Sequence, residues 1–294
     1  MSTSVIPSAT REWKYWITFA FLAFIWGGSF ILIKKGLIHF SPIQVAAFRI
    51  AISAIAFIPI FLIAKVPFPK GKVLLVTLVV FTGNGLPAFL FALAETRLGS
   101  AVTGVLNSLT PIFAMLIGIL FFKAPFKKHY LLGLLLGCSG IAILMIGEED
   151  WRISSYVFFV VIGTFCYGLS ANLVKRYCQH IHPIALTAVG FFFLGIISVI
   201  ILAATGALTT MMTAEAWEVS MPSLVLLALV CTVFANIFFY WLIQKTSVIF
   251  SSAIAYAIPC MALVWGAVDG EVISWYQFGG FLFIIAAIYT LRKQ

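Results

Sequence analysis

Residues 24–42 read FIWGGSFILIKKGLIHFSP and residues 165–183 read FCYGLSANLVKRYCQHIHP, so one stretch of this chain is written twice. Aligned without a gap, Phe24, Gly27, Ser29, Leu32, Lys34, His39 and Pro42 meet Phe165, Gly168, Ser170, Leu173, Lys175, His180 and Pro183. Trp26/Tyr167, Ile33/Val174 and Lys35/Arg176 are close substitutions at the same offset of 141 (165 against 24). A second echo, at offset 148 (259 against 111), pairs Pro111 with Pro259 and the segment around Asn84 with that around Thr232. In a membrane chain, two related halves place the working site between them.

Each half is a string of apolar runs. A run of about 17–25 apolar residues crosses a bilayer as a helix. Ten spans are predicted: 15–33, 42–64, 73–93, 99–122, 129–147, 154–174, 183–204, 222–243, 248–268 and 273–291. The chain is 63% hydrophobic and 9% charged, against roughly 25% charged in soluble domains. The expected fold is therefore an all-α integral membrane protein of ten transmembrane helices. Its parts are an N-terminal segment 1–14, a first five-helix repeat 15–147, a linker loop 148–153, a second repeat 154–291 and a tail 292–294. The five cysteines form no CxxC pair and read as small packing residues, and the four histidines have no metal spacing, so neither cofactor nor metal is expected.

The net charge of +9 could suggest nucleic acid, but its distribution explains it as membrane orientation. With the N-terminus inside, Arg11, Lys14, Lys65, Lys70, Lys72, Lys123, Lys127, Lys128, Lys175, Arg176, Lys245, Arg292 and Lys293 fall on the inner side. Lys34, Lys35, Arg97 and Arg152 fall outside, with nearly all the acidic residues. Inner loops carry the basic excess, so both termini are expected in the cytoplasm. Five spans per half is an odd number, which inverts one half relative to the other.

A Trp-Gly-x-Ser-Phe stretch at Trp26, a proline seven residues before Arg49 at the start of span 2, and prolines midway along spans 4 and 9 occur here together. With ten spans in two halves, the chain resembles the drug/metabolite transporter superfamily, specifically its EamA-type ten-helix bacterial exporters. That resemblance covers nearly the whole chain from Trp16 to Leu291. It implies a multi-pass carrier of the bacterial inner membrane that moves small metabolites, often amino acids or related compounds, usually outward. It also implies a central cavity lined by helices 1, 3, 4, 6, 8 and 9, with 5 and 10 at the periphery.

Polar groups inside hydrocarbon usually face a bundle interior or a watery cavity. Asn84 and Ala88 share one face of span 3, and Asn236 and Tyr240 one face of span 8. Asn107 and Pro111 share a face of span 4, as Ser251, Ala255 and Pro259 do in span 9. The candidate substrate-binding set is Trp26, Ser29, Asn84, Ala88, Asn107, Tyr167, Ser170, Asn236, Tyr240 and Tyr256. Interhelical hydrogen bonding is the competing role for each of the polar members. Pro111 and Pro259 are candidate gating kinks, since each removes a backbone donor; a static packing bend is the alternative. Arg49 could snorkel, pair with Glu95 or bind a substrate carboxylate, and a structural role comes first because helix 2 is not expected to be central. Gly133-x-x-x-Gly137 in span 5 allows close helix contact, so a monomer or a weak homodimer is expected. The partners are lipid and a small molecule, not nucleic acid. The rival class, a membrane-embedded transferase, should show clustered acid–base or metal-ligating residues, and none stands out. No Gly-rich phosphate loop is present for an ATP-driven pump.

Overall fold

The computed structural model describes residues 13–98, 100–144, 155–268 and 275–291. The linker 148–153, the tail 292–294 and most of the N-terminal segment lie outside the described residues. The main helices are α1 (Trp13–Gly36), α2 (Pro42–Ala64), α3 (Val73–Ala94), α4 (Val102–Phe122), α5 (Lys128–Leu144), α6 (Val157–Tyr177), α7 (Pro183–Ala204) and α8 (Ser220–Lys245). They are followed by α9 (Val248–Ser252, continued by Ile254–Val268) and α10 (Trp275–Leu291). Among the described residues seven, all but α5, α9 and α10, are long and apolar enough to cross a membrane. The other three hold shorter apolar stretches at Lys128–Ile143, Val248–Met261 and Phe278–Leu291.

The sequence repeat reappears as repeated helix-start chemistry. At α2 the Ser41 hydroxyl accepts from the Gln44 amide at 3.4 Å, while the Gln44 side chain accepts from the Ser41 amide at 2.9 Å. At α7 His182 Nδ1 accepts from the Ile184 amide at 3.3 Å. Pro42 and Pro183 follow these caps in the first turn, where the missing N–H would have no intrahelical partner.

Packing follows the same pairing. α2 lies along α7, and α5 along α10. Gln44 reaches the Thr205 carbonyl, Gly195 packs on Ala54, and the Phe57 and Phe191 rings are 5.2 Å apart. Numbers rise along α2 as they fall along α7, so the two are antiparallel. In the other pair Gly133 meets Leu291 and Gly140 meets the Gly280 carbonyl, again antiparallel. α1 packs on α9 as α6 packs on α4, and α3 on α7 as α8 on α2. Exchanging the halves maps each contact onto another, as a two-fold axis across the helices requires. The glycines of α5 are used within the fold, with Gly137 carrying the Tyr256 ring. Large apolar side chains such as Leu62, Ile63, Leu74, Leu120, Phe121 and Phe158 stay exposed on the outside, as a lipid-facing surface demands.

Both α3 and α8 are interrupted by a π-helical stretch, Phe81–Gly85 and Leu229–Phe234. These start 148 residues apart, the offset of the second sequence echo. A π turn loosens the regular ladder and often marks a functional position. Side chains satisfy the carbonyls around both stretches. Ser170 Oγ donates to Val79 O at 2.8 Å, Thr232 Oγ1 to Leu227 O at 2.9 Å, Ser53 Oγ to Ala228 O at 3.2 Å and Trp26 Nε1 to Cys231 O at 2.9 Å.

Candidate functional site

A cavity of about 90 Å³ lies between the halves, reached by the π stretch of α3 through Gly83 and Asn84. Trp26, Ser29, Phe30 and Ile33 of α1 line it, with Gly83, Asn84 and Phe91 of α3, Asn107 and Thr110 of α4, and Tyr167 of α6. Asn236 and Phe239 of α8 and Ser251, Ser252 and Ala255 of α9 complete most of the wall. All six helices implied by the family resemblance reach this space.

α2 reaches it too, through Arg49, although helix 2 was not expected to be central. α2 packs on the π stretch of α8, and Arg49 Nε donates to Thr232 Oγ1 there at 2.8 Å. That bond turns the side chain inward, away from the interface.

Asn84 and Asn236 form the centre of the polar wall. Asn84 Nδ2 donates to Asn236 Oδ1 at 3.0 Å, and Asn236 Nδ2 returns a bond to Asn84 Oδ1 at 2.8 Å. Asn84 Nδ2 also donates to the Tyr240 hydroxyl at 3.1 Å, and Asn236 Nδ2 to Thr232 O at 2.7 Å. The pair is a bridge between the halves, with each amide largely satisfied by the other.

Of the candidate set, Trp26, Ser29, Asn84, Asn107, Tyr167 and Asn236 line the cavity. Ala88, Ser170, Tyr240 and Tyr256 do not. Ala88 is buried in the apolar cluster that α3 shares with α7. Ser170 and Tyr240 stand behind the wall, where Gly83, lacking a Cβ, lets both approach α3. Tyr256 turns outward against Gly137 of α5. Helical spacing and the repeat give the face of a helix, not which neighbour covers a given side chain on it. Phe30, Ile33, Phe91 and Phe239 were missed because an apolar residue facing a cavity reads the same as one facing lipid.

The two prolines sit differently within their helices. Pro111 opens the second half of α4 (Thr110–Phe122), whereas Pro259 lies inside Ile254–Val268. Each leaves the carbonyl four residues back without its helical donor, at Asn107 and Ala255. Thr110 Oγ1 takes the Asn107 carbonyl at 2.7 Å and Ser108 Oγ takes that of Ala255 at 3.4 Å. The kinks therefore tie α4 to α9 and place two repeat-matched residues on the cavity wall.

A second cavity, of about 870 Å³, opens beyond the ends of α4, α6 and α8. It begins one turn past the first: Thr110 lines the central cavity and Ala114 the wider one. The partition between them is the crossing of α6 over α4. A Cβ at Gly168 would lie 2.8 Å from the Ala114 nitrogen and 3.0 Å from the Phe113 carbonyl carbon. Asn172 Nδ2 clasps this crossing, donating to Ala114 O at 2.9 Å and to Gly168 O at 2.8 Å. The repeat mate of Gly168, Gly27, packs on Met261, the mate of Phe113.

Both halves of the chain match the model of the EamA-like transporter family, over residues 14–146 and 154–292. The chain belongs to the EamA-like transporter family. An uncharacterized transporter of Archaeoglobus fulgidus is 25% identical over 96% of this chain and 99% of its own length. A probable amino-acid metabolite efflux pump of Salmonella typhimurium is 24% identical, over 53% of this chain and 52% of the relative. The uncharacterized transporter YdfC of Bacillus subtilis, also 24% identical, matches about half of each chain, 52%. A protein crystal structure only 13% identical superposes with a TM-score of 0.75, over 95% of this chain and 96% of the other, which shows a shared fold. The EamA-like chain is thus a multi-pass membrane transporter.

Proposed function

We propose that this EamA-like protein is a secondary carrier of the bacterial inner membrane that exports amino acids or related small metabolites by alternating access. In this reading all ten main helices span the bilayer, the halves are inverted, and both termini are cytoplasmic. The observation that carries it is the thin partition at Gly168, with a repeat-matched crossing at Gly27. Two gates related by an inverted repeat can each seal one side of a shared site. The wide cavity lies among the loops richest in Lys and Arg, so it is the cytoplasmic vestibule. Pro111 and Pro259 act as the bends around which α4 and α9 move. Trp26, Ser29, Asn84, Asn107, Tyr167 and Asn236 line the solute path. The Salmonella relative's name supports the cargo class, and the direction follows the same comparison.

Purified protein in liposomes, challenged with a metabolite panel and read by mass spectrometry against protein-free liposomes, tests the reading. Protein-dependent movement of at least one amino acid or derivative is expected; movement of none overturns it. A label at Asp150 should react from outside and a tag at Gln294 report from the cytoplasm.

Asn107 separates binding from folding. Its side chain has one weak described contact, Oδ1 accepting from Thr110 Oγ1 at 3.4 Å. Asn107→Ala is expected to cut flux severalfold while changing stability by less than about 1 kcal/mol, in line with single polar contacts in membrane bundles. Flux in liposomes and melting in detergent, measured on one preparation, check this. Normal flux would remove Asn107 from the path.

A further inference from the structure

We propose that the cargo is a monoanion, an organic carboxylate with an apolar or aromatic body, held by Arg49. This deepens the carrier reading and rests on it. Among the described residues lining the central cavity, Arg49 is the only charged one, and no Asp or Glu joins it. Its described hydrogen bond uses Nε, at Thr232, which leaves the two terminal nitrogens for a ligand. A guanidinium presents those nitrogens as a fork that matches a carboxylate. In a low-dielectric cavity an unbalanced cation is costly, and an arriving anion cancels that cost.

The rest of the wall selects the body. Trp26, Phe30, Phe91, Tyr167 and Phe239 surround the space with rings, and Phe91 stands between Phe30 and Tyr167 at centroid distances of 6.2 and 5.6 Å. This lining suits an apolar chain or a ring. An ammonium group would find no carboxylate here and would share the cavity with Arg49. A zwitterion therefore gains at one end and loses at the other.

The vestibule repeats the sign independently. Lys127, Lys175, Arg176 and Lys245 line it, with no acidic residue among the described residues of its wall. Lys175 is occupied, donating to the carbonyls of Ile243, Gln244 and Thr246 at the end of α8. The remaining three cations are placed to draw anions towards the partition. Membrane orientation explains why these residues are on the inner side, but not why they converge on one mouth.

Four probes with one body and different charge test the proposal: N-acetylphenylalanine (anion), phenylalanine (zwitterion), phenylalaninamide (cation) and N-acetylphenylalaninamide (neutral). Flux into liposomes carrying the full chain is compared with protein-free liposomes, and thermal stabilisation in detergent gives a reading independent of leakage. The anion is expected to move and stabilise most, by about tenfold over the other three in flux, the scale of a hydrogen-bonded charge pair. Arg49→Gln should remove that advantage and Arg49→Lys keep part of it. Should Arg49→Gln fail to fold, the ranking of probes by the wild-type protein still decides. Phenylalanine equal to or better than its acetylated form, no response to any of the four, or an Arg49→Gln protein that still prefers the anion would each overturn the proposal. The carrier reading is judged separately, by the metabolite panel.

Discussion

Gly168→Ala is expected to cost this transporter most of its flux, about tenfold or more, by forcing apart two helices that touch through their backbones. The added methyl would meet the Ala114 nitrogen at 2.8 Å and the Phe113 carbonyl carbon at 3.0 Å. Backbone cannot rotate away as a side chain can, so α6 must lift from α4. The bond from Asn172 to the Ala114 carbonyl, 2.9 Å across the crossing, stretches with it. Overpacking of this kind costs roughly 1–3 kcal/mol, and here it falls on the partition between the cavities. Gly28→Ala is the control, since its Cβ would meet nothing nearer than the Ile25 carbonyl at 3.8 Å. The two variants are compared by flux per folded molecule and by cysteine accessibility from the vestibule side. Gly168→Ala should leave the vestibule connected to the central cavity, and Gly28→Ala should behave as wild type. Normal flux in both would show that the crossing at Gly168 is no gate.

Much of this was legible in the sequence, and the reasons differ between fold and site. Helix positions were readable because lipid admits one backbone solution per apolar run, and Pro42 and Pro183 marked helix starts in both halves. The repeat was readable because Gly27 and Gly168 occupy matched crossings that admit no larger side chain. The π stretches were not foreseen; Gly83-Asn84-Gly85 is a weak helical tripeptide that hinted at one of them, but Leu229–Phe234 carries no such sign. The role of Arg49 stayed open in the sequence because a lone cation in a span looks alike whether it snorkels or points inward. Its true partner, Thr232, lies 183 residues on. Tyr240 was placed on the cavity by periodicity and Tyr256 as a ring deep in its span, and neither signal tells which neighbour covers the side chain.

The Asn84–Asn236 bridge offers the second large effect, and one that separates structure from transport. Each amide donates to the other, at 3.0 and 2.8 Å, and both residues are buried. Asn84→Leu removes both bonds of the bridge and the one to Tyr240; Asn236 Nδ2 keeps the Thr232 carbonyl but its Oδ1 loses its donor, and leaving a buried polar group unpaired costs about 1–3 kcal/mol. Asn236→Leu does the same to Asn84, although the Tyr240 hydroxyl at 3.1 Å keeps one donor occupied. Since Asn236 Nδ2 likewise keeps the Thr232 carbonyl at 2.7 Å when Asn84 is replaced, the two single variants are expected to destabilise to a similar degree. The double variant removes both partners at once and should be more stable than the sum of the single losses, with a coupling of about 0.6–1.7 kcal/mol as seen between membrane helices. Transport should follow a different rule. The bridge joins the π stretch of α3 to the turn of α8 that follows its own π stretch, beside the proposed solute path, so the double variant should recover stability without recovering flux. Melting in detergent and flux in liposomes, measured across the full cycle, give both quantities. Additive stability losses would mean that the amides do not bond each other. A double variant that regained flux together with stability would reduce the bridge to packing and move the solute path elsewhere on the cavity wall.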